Sequence, residues 1–197
     1  MLSSAPHRPA ILSNVPSVDI PQWREQSSLN ERPDTTILDW LFDQGSLTRR
    51  LTRLSADHFS VTPLFEGWQP LRDDECLALE LAPQSVGWVR EVYLRGHGQP
   101  WVFARSVAAR SALEQGGLNM DELGTRSLGE LLFCDQAFTR RAIEACRYPA
   151  AWLPPENAQE GLWARRSPFD RGNLSLLVAE VFLPAMWQIA CPHCKEQ

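Results

Sequence analysis

The sequence contains almost no lysine. Lys195 is the only lysine among 19 basic residues, so chemistry through a Schiff base on a buried lysine is effectively excluded. The sequence also lacks an apolar run of the roughly 20 residues needed to span a bilayer. A net charge of -5 disfavours nucleic acid as the main partner, because a protein that binds the phosphate backbone normally has a basic face. We therefore expect a soluble globular protein with no membrane span.

The five cysteines are odd in number and irregularly spaced, so they do not indicate a disulfide framework, and reduced thiols are expected. Cys191-Pro-His-Cys194 has the spacing of a metal or redox motif, but it lacks a second ligand pair and a thioredoxin-like setting. We interpret residues 191–197 as a tail and expect no metal site. The N-terminus lacks a basic region followed by an apolar core, so a cytoplasmic location is expected.

The length of 197 residues is typical of one domain. Residues 1–33 are rich in proline and serine without sustained periodicity, and they are interpreted as an extension that drapes over the rest. The domain is predicted over residues 34–190, before the tail.

Capping residues predict two pairs of short helices. Asp34 or Thr36 is a suitable N-cap for a first helix, and Ser46 is a suitable N-cap for the next. The capping-box patterns Asn119-Met-Asp-Glu122 and Ser127-Leu-Gly-Glu130 predict a second pair.

Alternating apolar residues predict a set of strands, of which the segment over 138–146 is the weakest. The predicted strands are Phe59–Phe65, Val86–Leu94, Trp101–Ala108, Phe138–Cys146, Leu162–Arg166 and Leu174–Leu183. Gly96-His97-Gly98 predicts a hairpin turn between the second and third of these. Runs of strands with helices inserted in pairs favour a single-domain α+β fold with a mainly antiparallel sheet.

Three predicted strands each carry one charged residue on an apolar face: Arg90, Arg105 and Glu180. For any one alone, a side chain snorkelling at a strand end is the simpler interpretation. Together they predict one dry pocket with surplus positive charge, suited to a small carboxylate ligand whose hydroxyl Glu180 would bind. Arg165 and Arg166 are further candidates, although a solvated arginine pair is the simpler interpretation for them.

A series of short motifs, spread from about Thr36 to Trp187, resembles the chorismate lyase family of ubiquinone biosynthesis. The motifs are Leu38-Asp-Trp-Leu41, Ser46-Leu-Thr48, Trp88-Val-Arg-Glu91, Pro100-Trp101 with Arg105, Leu128-Gly129 with Leu132-Phe133, Leu162-Trp163-Ala-Arg-Arg166 and Glu180-Val-Phe-Leu-Pro184. The resemblance implies a monomeric α+β protein with a six-stranded antiparallel sheet, helical flaps over a buried site and no cofactor. It also implies conversion of chorismate to 4-hydroxybenzoate and pyruvate.

The resemblance assigns the carboxylate-binding arginine to Arg90 and the catalytic carboxylate to Glu180. It places backbone contacts from the flaps at Leu47 and Leu128, and Arg105 is a further candidate for the enolpyruvyl carboxylate, as is an arginine of the 165/166 pair. Two departures are visible: Leu47 stands where the family has methionine, and Ser127 where it has proline. Because these positions act through backbone groups, we expect altered flap mobility and intact chemistry.

Two other functions remain open at this stage. The same fold class resembles the effector-binding domain of some bacterial transcription regulators, which predicts a non-catalytic sensor of small aromatic acids. Such regulators need a DNA-binding module, and the 33-residue extension is too short and too rich in proline for a winged helix. The other alternative, a generic interaction protein, is disfavoured by the three charges on apolar faces.

Overall fold

The computed structural model describes residues 20–110, 113, 124–126, 128, 132 and 138–192. The strands in these ranges are β1 (Phe59–Pro70), β2 (Val86–Gly96), β3 (Gln99–Ala109), β4 (Thr139–Arg140), β5 (Glu144–Tyr148), β6 (Leu162–Arg171) and β7 (Leu174–Phe182). The α-helices are α1 (Thr35–Leu41), α2 (Leu47–Leu54), α3 (Asp73–Ala78) and α4 (Pro184–Ala190). Short 3-10 turns cover Gln26–Ser28, Ala150–Trp152 and Pro155–Asn157.

All pairings among these strands are antiparallel, in the order β1-β2-β3-β7-β6-β4, with β5 also pairing with β6. The predicted α+β class with an antiparallel sheet is therefore confirmed. The expected count of six strands is wrong, because the described sheet has seven. The segment predicted as one strand over 138–146 forms two short strands, β4 and β5, which pair with different stretches of β6.

The first predicted helix pair is confirmed as α1 and α2. The Asp34 carboxylate accepts a hydrogen bond from the Thr36 backbone N–H at 2.7 Å, and the Ser46 hydroxyl accepts one from Arg49 N–H at 3.4 Å. Most of the second predicted pair lies outside the described residues. Leu128 and Leu132 are described there, and both are buried.

The hairpin of β2 and β3 contains a register shift that matters for the site. At the turn, Gly96 is opposite Gln99 and Arg95 is opposite Pro100. A shift then follows between Leu94 and Arg95, and beyond it Leu94 is opposite Val102. The extra residue lies on β3. Beyond the shift, each β3 side chain therefore points to the opposite face of the sheet, relative to β2, from the one it would have in an uninterrupted hairpin.

The extension packs on the domain before the predicted first helix. The Trp23 ring N–H donates to the Asp74 carboxylate at 2.8 Å, and the backbone of Arg24 forms a bridge with Ala145 of β5. The domain was predicted to begin at residue 34, but these contacts begin about a dozen residues earlier.

The sheet is covered on both faces. One face packs against α1, α2 and α4 through Trp40, Leu41, Leu51 and Met186. The other packs against Leu71 and α3, where Cys76 and Leu79 are buried. Charged side chains buried on each face therefore occupy separate environments.

Three further findings concern the chain outside the predicted elements. Helices α3 and α4 were not predicted, and Pro184, which follows the predicted strand Leu174–Leu183, begins α4. Cys191 is disulfide-bonded, whereas Cys76 and Cys146 are free, so the expectation of reduced thiols is wrong for Cys191. Among the described residues, every helix is too short or too polar to cross a bilayer.

Candidate active site

Strand register places Arg90 and Glu180 on the same face of the sheet. Arg90 of β2 is opposite Ser106 of β3, which is opposite Val178 of β7. Glu180 lies two residues along β7 from Val178 and therefore faces the same way. Two strand spacings, about 10 Å, separate β2 from β7. The two predicted groups thus flank a strip of sheet surface floored by Ser106 and Val178.

Arg90 is only 2% exposed and is held by three acceptors. Its Nε donates to Glu66 Oε1 of β1 at 2.5 Å, and its Nη2 donates to the backbone carbonyls of Gly124 and Arg126 at 2.5 and 3.1 Å. Glu66 is directly opposite Arg90 in the β1–β2 register and neutralises its charge. The guanidinium therefore links the sheet to the segment that precedes Leu128.

Glu180 is paired with Arg165 on the neighbouring strand β6. Arg165 Nε donates to Glu180 Oε2 at 2.6 Å, and its Nη1 donates to the carbonyls of Trp40 and Asp43 at 3.0 and 3.1 Å. These carbonyls lie at the C-terminal end of α1, where helix carbonyls favour a cation. Arg165 is thereby fixed at three points, and it orients the carboxylate that was predicted to be catalytic.

A small cavity of about 20 Å³ lies beside this pair. It is lined by Leu47, Thr48, Leu132, Arg140, Arg165, Phe169, Val178 and Glu180. A volume of this size holds about one water molecule. The cavity brings together Glu180, the first residue of α2 and the buried Leu132.

Arg140 of β4 is a second cation at this cavity. Its Nε donates to the Ser167 hydroxyl at 2.9 Å, and its Nη1 donates to the Asp43 carbonyl at 3.3 Å. Burial, together with the nearby charge of Arg165, lowers the pKa of Arg140 to about 10, against the opposing effect of Glu180. Among the described lining residues, two guanidiniums therefore lie beside the Glu180 carboxylate.

The two predicted flap residues are both buried over this face. Leu47 follows the Ser46 N-cap and lines the cavity, whereas Leu128 packs in an apolar cluster with Ala108 and Leu176. Their predicted backbone contacts with a ligand remain predictions.

Arg105 does not line this cavity. The prediction that it shares a face of the sheet with Arg90 and Glu180 is wrong. It is opposite Glu91 on β2 and Ala179 on β7, so it points to the other face of the sheet. There its Nε and Nη2 donate to the Glu75 carboxylate at 2.6 and 3.1 Å, and its Nη1 donates to Glu91 at 2.8 Å. Burial alone would lower the pKa of Arg105, but the two carboxylates raise it. This arginine is saturated by protein carboxylates.

The adjacent arginines of β6 also separate. Arg165 faces the cavity, whereas Arg166 donates to Glu144 at 2.8 Å and to Asp74 at 3.2 Å on the opposite face. Neither is a solvated surface residue, since Arg165 is 1% and Arg166 6% exposed. Only Arg165 belongs to the candidate site.

Sequence reasoning missed Glu66 and Arg140. Glu66 lies in a segment whose period-two pattern was followed only to Phe65, although β1 runs to Pro70. Arg140 lies in β4, only two residues long and therefore without a detectable period. The position of Glu66 opposite Arg90 could have identified it as the partner of Arg90, but only if the register between β1 and β2 had been known.

A larger open groove of about 930 Å³ lies elsewhere, between residues 20–31 and β5. Its lining includes Arg147, which donates to Glu31 at 2.8 Å. None of the predicted site residues lines it, so we place the candidate site at the smaller, enclosed cavity. Among the described residues, no group of three His, Cys, Asp or Glu side chains is arranged to hold a metal ion.

Fold and site together define an α+β protein with a small, arginine-lined cavity on one face of an antiparallel sheet. The family model described as "Chorismate lyase" matches residues 18–191. The chain belongs to the chorismate lyase family.

Two curated relatives match this chain over most of their length. The chain is 74% identical to "Probable chorismate pyruvate-lyase 2" of Pseudomonas entomophila (strain L48) over 168 residues, covering 85% of this chain and 91% of that one. It is 72% identical to "Probable chorismate pyruvate-lyase" of Pseudomonas putida (strain KT2440) over 168 residues, covering 85% and 91%.

Among solved structures, the fold is similar to that of a possible transcriptional regulator from Bacillus subtilis. The TM-score is 0.48 at 11% identity, covering 66% of this chain and 60% of that one. At that level of similarity, no functional conclusion is drawn from it.

Proposed function

We propose that this protein eliminates pyruvate from chorismate to give 4-hydroxybenzoate, the first committed step toward ubiquinone. The observation that carries the proposal is the placement of the buried Arg90 and the half-buried Glu180 on one face of the sheet, two strands apart. An aromatic ring with a carboxylate at one end and a hydroxyl at the other can bridge two such groups. The family match and the names of the relatives support the same reaction.

The reaction needs little from the protein besides positioning. The ether C–O bond of chorismate breaks, the neighbouring ring carbon loses its proton, and the ring becomes aromatic. The departing enolpyruvate takes up a proton and becomes pyruvate. The aromatic product supplies the driving force, so the protein has to orient the substrate, exclude water and offset charge on the leaving group.

The proposed roles follow from the contacts of each residue. Arg90 binds the ring carboxylate, while Glu66 holds its Nε and the carbonyls of Gly124 and Arg126 hold its Nη2. Glu180 binds the ring hydroxyl and accepts or relays the ring proton. Arg165 orients Glu180 and offsets charge on the enolpyruvyl carboxylate, the role considered earlier for one arginine of the 165/166 pair.

The small size of the cavity implies that the site opens during turnover. A space of about 20 Å³ cannot admit chorismate, so Leu47 of α2 and Leu132, which both line it, must move apart for the ligand to enter. The same closure slows release of the aromatic product, and we expect inhibition by 4-hydroxybenzoate.

We further propose that the protein acts as a cytoplasmic monomer without a cofactor or a nucleic-acid partner. The acidic net charge of -5 supports the last point. Chromatography with light scattering would test the monomer, and a dimer that persists on dilution would contradict it.

The decisive experiment is to incubate the purified protein with chorismate and follow 4-hydroxybenzoate and pyruvate. Equal amounts of both products, formed in proportion to enzyme concentration, are expected. The alternative of a non-catalytic aromatic-acid sensor predicts binding of 4-hydroxybenzoate without turnover. Failure to form pyruvate at any enzyme concentration would refute the lyase proposal.

A further inference from the structure

We infer that Arg140 and Arg165 together bind the enolpyruvyl carboxylate of the substrate, with Arg140 as a binding residue that the sequence motifs do not identify. This inference rests on the proposed function and deepens it. It assigns the second of the two carboxylates of chorismate, whereas Arg90 accounts for the first.

The first argument is that both guanidiniums belong to one enclosed space. Arg140 and Arg165 line the same cavity as Glu180, and the single carbonyl oxygen of Asp43 accepts a hydrogen bond from Nη1 of each. The two cations are therefore neighbours at the end of the cavity near α1. Phe169, whose ring centroid lies 5.3 Å from the Arg140 guanidinium carbon, fixes that side chain from another direction.

The second argument is the charge balance. The cavity lining includes two guanidiniums, those of Arg140 and Arg165, beside the Glu180 carboxylate. The charges of Glu180 and Asp43 favour the cationic form of Arg140. Burial and the charge of Arg165 act against the cationic form of Arg140. On the opposite face, the carboxylates beside Arg105 act in favour of its cationic form. An anion that enters the cavity would relieve the mutual repulsion of Arg140 and Arg165, and would gain two charge-assisted contacts.

The third argument is the direction across the sheet. The strand order places β2 with Arg90 on one side of Glu180, and β6 and β4 with the two arginines on the other. A substrate whose ring carboxylate binds Arg90 and whose hydroxyl binds Glu180 carries its enolpyruvyl ether on the ring carbon next to the hydroxyl. The second carboxylate then lies beyond Glu180, where Arg165 and Arg140 are.

A purely structural role for Arg140 predicts a different result from a binding role. If Arg140 only connects β4 to the end of α1, its replacement would destabilise the fold and lower the affinity for every ligand to the same extent. If Arg140 binds the enolpyruvyl carboxylate, its replacement would lower the affinity for chorismate. The affinity for 4-hydroxybenzoate, which lacks that group, would stay the same.

The experiment compares Arg140→Gln with Arg140→Lys, and uses Arg141→Gln as the matched control. Arg141 is the next residue and is paired with Glu80 and Asp170, 35% exposed at the surface. For each variant, the KM for chorismate and the inhibition constant for 4-hydroxybenzoate are measured, and thermal unfolding reports on the fold.

We expect Arg140→Gln to raise the KM for chorismate roughly 10- to 100-fold, the range for one charge-assisted contact. The inhibition constant for 4-hydroxybenzoate should stay within about twofold of the wild-type value. Arg140→Lys should recover part of the loss because it retains the charge, and Arg141→Gln should resemble the wild type.

Two outcomes would overturn the inference: an unchanged KM for chorismate in Arg140→Gln, or parallel weakening of chorismate and 4-hydroxybenzoate. Absence of turnover in the wild-type protein would instead refute the proposed function. In that case, calorimetry with the same two ligands compares the variants directly, and equal losses for both ligands would still overturn the assignment of Arg140.

Discussion

Arg90 and Arg105 lie on opposite faces of the same hairpin, although an uninterrupted hairpin would place them directly opposite each other. If the pairing of Arg95 with Pro100 continued without a shift, Arg90 would lie opposite Arg105. The register shift between Leu94 and Arg95 instead makes Ser106 the partner of Arg90. One extra residue on β3 therefore removes Arg105 from the ligand side and places it between Glu75 and Glu91.

The placement of Arg105 predicts that replacing it harms stability and leaves ligand recognition intact. Arg105→Met removes a buried cation and leaves Glu75, itself buried, without its partner, at a cost of about 3–5 kcal/mol in the free energy of unfolding. Urea unfolding measures this loss, and steady-state kinetics on the folded fraction should give a near wild-type KM for chorismate. A large rise in KM at unchanged stability would return Arg105 to the binding site.

The sequence alone could predict much of the fold, because its signals were local. Asp34 and Ser46 cap helices as expected, and the hairpin turn at Gly96-His97-Gly98 forms where predicted, with His97 and Gly98 at positive φ. Alternation along each strand also predicted correctly which neighbours share a face with Arg90 in β2 and with Glu180 in β7.

The relation between strands could not be predicted in the same way. Whether Arg90, Arg105 and Glu180 share a face depends on register, which one bulge reverses. Arg140 could not be found because a two-residue strand carries no periodicity, and its function depends on the pairing of β4 with β6. Local patterns identified which residues were unusual, whereas long-range pairing decided which of them meet.

The two tyrosines of the chain predict a marked alkaline dependence of stability. Burial raises the pKa of Tyr148 to about 12, although Arg72 acts the other way, and burial together with the hydrogen bond to Glu156 also raises the pKa of Tyr93. In the unfolded chain both titrate near about 10. Because the folded pKa values are higher, this contribution to stability is present below about pH 10 and is lost as pH rises toward the folded values.

Ultraviolet absorbance of tyrosinate, recorded beside urea unfolding across that pH range, measures the effect. The folded protein should form little tyrosinate near pH 10, and stability should fall as pH increases further. A full titration of both tyrosines near about 10 with the fold intact would contradict the burial of their hydroxyl groups. Tyr148→Phe and Tyr93→Phe assign each contribution.

The contacts of Arg90 predict that Arg90→Ala loses binding of both chorismate and 4-hydroxybenzoate, because the two ligands share the ring carboxylate. Loss of the charged contact with the ring carboxylate corresponds to roughly 100-fold in affinity. Calorimetry with 4-hydroxybenzoate is the measurement, since it does not depend on turnover. Arg95→Ala is the matched control on the same strand, because Arg95 contacts Thr62 and the Gly98 carbonyl at the hairpin end. Unchanged product affinity in Arg90→Ala would remove Arg90 from the ring-carboxylate site.

The pairing of Glu180 with Arg165 makes Glu180→Gln the most informative change to the proposed chemistry. Glutamine keeps the shape of the side chain and can still accept the Arg165 hydrogen bond, but it cannot act as a base at neutral pH. If Glu180 takes the ring proton, pyruvate formation should fall by roughly 100-fold or more, the usual contribution of a general base. Binding of 4-hydroxybenzoate should weaken much less, because the side-chain amide can still form a hydrogen bond with the ring hydroxyl. A variant that releases pyruvate at near wild-type rate would mean that the proton passes within the substrate in a concerted step and that Glu180 only positions the ring.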